Sequence, residues 1–104
     1  MRNVAETPIL IRYASEVCSE VERQEFITFI AANPEAGAGI RGSGGCRKVR
    51  WTRPGIGKRG GARVVYFVAI DDVVWLLIVY TKAKFDVLPT SFLAQLRQGV
   101  EDVP

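Results

Sequence analysis

At 104 residues, 48% of them hydrophobic and 24% charged, the chain has the size and composition of one globular domain, which argues against disorder. It contains no histidine, so the commonest general base and the commonest metal ligand are both missing. Its two cysteines, Cys18 and Cys46, are too few and too far apart for a zinc site. The net charge of +3 is modest but uneven: eight of the fourteen basic residues lie between Arg41 and Arg63, a stretch without Asp or Glu, and the remainder is net acidic. That distribution points to a local anionic partner and not to general stickiness.

In chain order, Asn3 to Leu10 reads as a short first strand or a lead-in, with Pro8 arguing against an interior strand. The chain turns helical from about Ile9 to Tyr13. A second helix, starting at Ser15 or Ser19 and running to Ala32, places Val17, Val21, Phe26, Phe29 and Ile30 near one face. Glu16, Glu20 and Glu22 crowd its start, where the helix dipole favours anions. Asn33-Pro34 ends it, because the residue before proline disfavours the helical conformation. Glu35 to Gly45 reads as a glycine-punctuated loop. Cys46 to Thr52 alternates, with Arg47, Val49 and Trp51 on one face and Cys46, Lys48, Arg50 and Thr52 on the other. Pro54 to Gly61 is a second glycine-rich turn. Arg63 to Ile70 and Val73 to Thr81 are strands apolar enough to be covered on both faces, or to have one covered face and one interface, joined at Asp71-Asp72 without the usual turn glycine. From Thr90 onward, Phe92, Leu93, Leu96, Val100 and Val103 recur at helical spacing, with Thr90 or Ser91 able to cap the helix.

The expected fold class is α+β. It consists of N-terminal helices packed on one face of a small, three- or four-stranded, mainly antiparallel sheet, followed by a C-terminal helix, in a single domain over residues 1–104. The apolar runs are far shorter than the ~20 residues that span a bilayer, so no membrane partner is expected. Met1 to Leu10 lacks the apolar core of a secretory signal, which leads to the expectation of a cytoplasmic protein with reduced thiols.

Two glycine-led basic arms carry the chemistry: Gly42-Ser43-Gly44-Gly45-Cys46-Arg47-Lys48-Val49-Arg50-Trp51 and Gly57-Lys58-Arg59-Gly60-Gly61-Ala62-Arg63. Glycines allow backbone amides to approach a ligand closely, and the strands that follow present cations. If the arms pair as a hairpin, with Lys82 and Lys84 nearby, they form a patch suited to consecutive phosphates. A solvated charged face is the bland reading of the same residues. Neither arm is a P-loop or a dinucleotide fingerprint, because the spacing and the following helix are absent. Trp51 reads either as a base-stacking platform or as packing. Tyr66, Tyr80 and Trp75, inside apolar strands, read as core. Cys46 beside Arg47 and Lys48 has neighbours that lower a thiol pKa, but no histidine to activate it. RNA carries its own nucleophile, the 2′-hydroxyl. A histidine-free basic site therefore needs only to align that hydroxyl, stabilise the developing charge with arginine or lysine, and move protons through a lysine of lowered pKa. No carboxylate cluster suggests a metal.

At these residues the sequence resembles the RelE/ParE superfamily of type II toxin–antitoxin toxins, in particular its HigB-like branch. The resemblance is carried by Asn33-Pro34 and its glycine loop, the two basic arms continuing through Val64-Val65-Tyr66, and Val79-Tyr80-Thr81-Lys82. It implies a RelE-like fold and a metal-independent, cofactor-free endoribonuclease, a hydrolase that cleaves mRNA on the ribosome (an mRNA interferase). It also implies a cognate antitoxin of helix-turn-helix type, and contact with operator DNA only through the antitoxin complex. Carried onto this chain, the family's scattered basic residues fall on Arg47, Lys48, Arg50, Lys58, Arg59, Arg63 and Lys82. Arg63, Arg50, Lys58 and Lys82 are then expected in catalysis, and Arg47, Lys48 and Arg59 on flanking phosphates, joined by Arg53 and Lys84 of the same basic patch. The tyrosine that some relatives place near the scissile base has no counterpart, since the aromatic after Lys82 is Phe85, without a hydroxyl. The ParE branch shares the fold but inhibits DNA gyrase, so a gyrase-directed toxin and a non-enzymatic nucleic-acid-binding module stand as alternatives.

Overall fold

The structure, a computed structural model, describes residues 2–51, 61–81, 85 and 87–101. Its elements are β1 (Val4–Glu6), α1 (Pro8–Val17), α2 (Glu20–Ala32), β2 (Ala38–Gly39), β3 (Arg47–Trp51), β4 (Ala62–Val68), β5 (Val74–Thr81) and α3 (Thr90–Glu101). The strands form one five-stranded sheet in the order β1-β5-β4-β3-β2, antiparallel except for the parallel pairing of β1 with β5. The α+β class matches expectation, but the sheet is larger than the three or four strands expected. The loop read from Glu35 to Gly45 contains the two-residue β2, and the first strand pairs with the last.

Local chemistry accounts for most boundaries. Thr7 caps α1 by accepting from the Leu10 amide, and Pro8 stands in the first turn, where its missing N–H has no intrahelical role. Ser19 and Glu22 form a reciprocal capping box at the start of α2, which satisfies two amides that the helix leaves orphaned. Ser19 rather than Ser15 is therefore the cap. The β4–β5 turn manages without glycine because Asp72 takes the left-handed conformation, φ 66°, which Asp tolerates better than bulkier residues. Ala69 N donates to Val73 O at 2.8 Å and Asp72 N to Ala69 O at 2.9 Å, closing a three-residue loop.

The sheet is buried on both sides. On one side, α1 and α2 cover Ala62, Val64, Tyr66, Val74, Leu76 and Val79 with Leu10, Ala14, Phe26 and Ile30. On the other, Leu93 of α3 packs with Cys46, Val65, Phe67, Leu77, Ile78 and Tyr80. The helices thus occupy opposite faces, not the one face that the element order suggested, and this gives β4 and β5 the cover on both faces that their apolar runs pointed to. The register shifts between Val65–Ile78 and Tyr66–Leu76, which leaves Leu77 as an extra residue in β5. The Thr7 hydroxyl lies 3.0 Å from both the Leu76 and Leu77 carbonyls, so the cap of α1 also engages the bulge.

The loop after α2 is held by one buried phenol. Tyr66 Oη donates to Pro34 O at 2.8 Å and accepts from Gly37 N at 2.8 Å. Any Cβ at Gly37 would stand 2.9 Å from the Tyr66 ring and 3.0 Å from the Lys48 backbone, so only glycine fits. Tyr66→Phe strands a buried donor and a buried acceptor together. It is expected to lower the unfolding free energy by about 1–3 kcal/mol in chemical denaturation, and an unchanged midpoint would contradict this pairing.

Candidate anion site

The β3–β4–β5 register decides which cations meet. Arg50 stands opposite Arg63, and Arg63 stands opposite Tyr80. Side chains alternate along strands, so these three residues form one row on the face that α3 covers elsewhere. The neighbouring row holds Lys48, opposite Val65, which is opposite Ile78. Arg50 and Lys48 are exposed, Arg63 is half-buried and Tyr80 is 3% exposed.

Arginines paired across a ladder are a like-charge pair, which destabilises it. Arg63 bears an additional burden. Its Nη1 is shielded from solvent and finds no hydrogen-bond partner among the described residues. Buried donors are ordinarily satisfied, so an orphaned guanidinium N–H beside a second cation makes this row the candidate site for an anion. Burial pushes the Tyr80 phenol above its ordinary pKa, against a smaller lowering by the Arg63 charge. Tyr80 therefore stays neutral and does not compensate Arg63.

The strand ends converge beside this row. Trp51 at the end of β3 is paired with Ala62 at the start of β4, and Ala62 with Thr81 at the end of β5. Lys58, Arg59 and Arg53, between β3 and β4, and Lys82 and Lys84, after β5, lie outside the described residues.

Arg47 lies on the α1/α2 face, away from Arg50 as the strand alternation predicts, and its Nη1 donates to Gly37 O at 2.8 Å, which adds a second clamp to the loop held by Tyr66. Of the two readings of Trp51, packing is the one that holds: the ring lies against Phe26 at 4.9 Å and Phe29 at 5.4 Å between ring centroids. The first glycine arm is a folded turn and not an open cradle. Ser43 is fully buried; its hydroxyl donates to Ile40 O at 2.6 Å and accepts from Cys46 N at 3.1 Å. Gly42, Gly44 and Gly45 have φ of 80°, 77° and 103°, and a Cβ on Gly44 would stand 3.2 Å from Arg97 Cδ of α3. These glycines serve chain reversal and close packing against α3. The Cys46 thiol is raised above its ordinary pKa, chiefly by burial, with Ser43 and Arg97 lowering it less. Desolvation decides the direction, and the cation that opposes it is Arg97 of α3 and not the adjacent Arg47 or Lys48.

Sequence reasoning overlooked Tyr80 as a neighbour of the site. Its place in an apolar run marked it as core, and only the β4–β5 register reveals that it stands beside Arg63.

No protein-family model matches this sequence. Among solved structures, the chain is similar to a double arginine mutant of the E. coli toxin RelE in the free state. The identity is 18% and the TM-score 0.60, over 92% of this chain and 96% of the other. It is also similar to a chain of the intact E. coli RelBE toxin–antitoxin complex, with 21% identity and a TM-score of 0.56, over 76% of this chain and 94% of the other. The protein is an α+β domain with a two-sided, mostly antiparallel sheet. More narrowly, its fold is that of the RelE toxins.

Inorganic phosphate is expected to raise the Tm of the wild-type chain by relieving the Arg50–Arg63 repulsion, and to raise that of Arg63→Ala much less. Equal increments in the two proteins would place the anion elsewhere.

Proposed function

We propose that this chain is the toxin of a type II toxin–antitoxin system, within the RelE/ParE superfamily. In this reading it is a metal-independent endoribonuclease that cleaves mRNA on the ribosome in the cytoplasm. The observation that carries the reading is the half-buried Arg63, with its orphaned Nη1, directly opposite Arg50 on the sheet. The RelE fold supports it, because a neighbour with that fold is described as a toxin and another as part of a toxin–antitoxin complex.

Arg63 and Arg50 would grip the scissile phosphate. The substrate's 2′-oxygen forms a bond to phosphorus as the bond to the 5′-oxygen breaks, giving a 2′,3′-cyclic phosphate and a free 5′-hydroxyl. A base must take the 2′ proton and an acid must return one to the leaving 5′-oxygen; Lys58 and Lys82 are the proposed pair. Negative charge grows on the non-bridging oxygens at the transition state, so fixed guanidinium groups stabilise it more than the ground state. Lys48, Arg53, Arg59 and Lys84 would hold flanking phosphates. Arg47, tied to the Gly37 carbonyl, is left with a structural role. The proposed partner that silences the toxin is a cognate antitoxin of helix-turn-helix type, with operator DNA reached only through that complex.

Arg63→Ala is expected to abolish growth inhibition in cells while the purified variant keeps the far-UV spectrum and cooperative melting of the wild type. Full toxicity from a folded Arg63→Ala chain would contradict the assignment. Growth inhibition with inhibited gyrase and intact transcripts would favour the ParE-like activity instead.

A further inference from the structure

A row of aromatic rings runs from Tyr80, the ladder partner of Arg63, back to α1. Tyr80 stands opposite it across the β4–β5 ladder, where directly paired side chains have Cβ atoms about 4.5–5.5 Å apart. Phe85 packs edge-on against Tyr80, with ring centroids 6.1 Å apart and planes at 70°. Tyr13 of α1 packs edge-on against Phe85 in turn, at 6.0 Å and 69°. The Phe85 amide donates to Thr81 O at 3.0 Å, which holds the ring close to the end of β5. Tyr13 also touches both core clusters, so the far end of the row is anchored in the body of the fold.

We propose that Tyr80, backed by Phe85 and Tyr13, is a positioning residue that fixes the Arg63 guanidinium toward the scissile phosphate. This inference rests on the phosphate reading of Arg63 given above. A long, flexible arginine contributes most to a transition state when few rotamers remain open to it, because the entropy of ordering it is then lost during folding and not during the reaction. A ring wedged beside its stem removes the rotamers that would lie over β5. The wall must also be neutral. A carboxylate at position 80 would pair with Arg63 and compete with the phosphate, whereas a buried phenol offers bulk without charge. The neighbours on the other side are Arg50 and Lys48, which attract the same anion and do not neutralise Arg63. The aromatic after Lys82 thus gains a role that needs no hydroxyl: Phe85 acts through Tyr80, without touching the substrate.

The experiment measures kcat and KM for mRNA cleavage on programmed ribosomes with the purified 104-residue chain, well below Tm, for Tyr80→Phe, Tyr80→Leu, Phe85→Leu and Arg63→Ala. Tyr80→Phe keeps the ring and is expected to match the wild type. Tyr80→Leu and Phe85→Leu are expected to lower kcat by about tenfold or more with KM nearly unchanged, as misplacement of a charge-stabilising group does. Because Phe85 is only half-buried, Phe85→Leu decides the matter if Tyr80→Leu does not fold. Folded leucine variants with wild-type kcat would overturn the positioning role, and so would a Tyr80→Phe variant as impaired as Tyr80→Leu. An Arg63→Ala chain that still cleaves would overturn the phosphate reading itself, whereas an inactive Arg63→Ala beside fully active leucine variants would overturn only the aromatic support.

Discussion

The register of β4 against its two neighbours is the constraint on which the rest of the molecule depends. Side chains alternate faces along a strand, so a slip of one residue would turn Arg63 toward α1 and α2 and bring Val64 into its place. Burial makes that slip prohibitive. Val65 and Tyr66, adjacent in β4, are both fully inaccessible, one packed on each face of the sheet. Exchanging their sides would force the phenol out of its bonds to Pro34 and Gly37 and into the layer beneath α3. The core therefore determines which way the arginine points, and the cation row follows from apolar packing.

The same register explains how a site with repelling charges survives. Arg50 and Arg63 sit toward one end of the β3–β4 ladder, while the buried centre of the sheet lies further along, at Val65 to Phe67 and Leu76 to Ile78. A fully buried aliphatic side chain contributes roughly 1.5–3 kcal/mol, several times what two opposed surface charges remove. Strain of this kind is tolerated at functional sites when the surrounding fold is secure. The bulge at Leu77 has a related consequence. It puts Leu77 and Ile78 both into the α3 layer, so Tyr80 emerges on the Arg63 face while Leu76 faces the opposite helices.

Much of this was legible in the sequence, and the parts that were not share a cause. Ser19 with Glu22, Asn33-Pro34 and the alternation of Arg47, Val49 and Trp51 are local signals, and each corresponds to a real boundary or face. Arg50 and Arg63 could be named as cations of interest, since the absence of acidic residues around them is a property of composition. What failed depended on distant partners. The parallel pairing of Val4 with Val74 joins residues 70 positions apart. The placing of α3 on the face opposite α1 and α2 carries no periodic signature. The glycines from Gly42 to Gly45 resembled a phosphate cradle because glycine signals backbone freedom without saying whether a ligand or a neighbouring helix uses it; here Arg97 of α3 does. The particular partners of Trp51 and Arg47 were hidden for the same reason, as Phe26, Phe29 and Gly37 come from distant parts of the chain.

Fold and chemistry make separate claims, because one architecture can serve different functions. The RelE fold follows from the sheet and its two helical layers, whereas the proposed cleavage of mRNA depends on what the Arg50–Arg63 row does to a phosphate. Mapping transcript 5′ ends in cells that express the wild-type chain or Arg63→Ala tests that dependence most directly. If the row acts on the scissile phosphate, the wild type generates new ends phased with codons in translated messages, and the folded Arg63→Ala chain generates none. Intact transcripts in growth-arrested wild-type cells, or the same phased ends with Arg63→Ala, would contradict it.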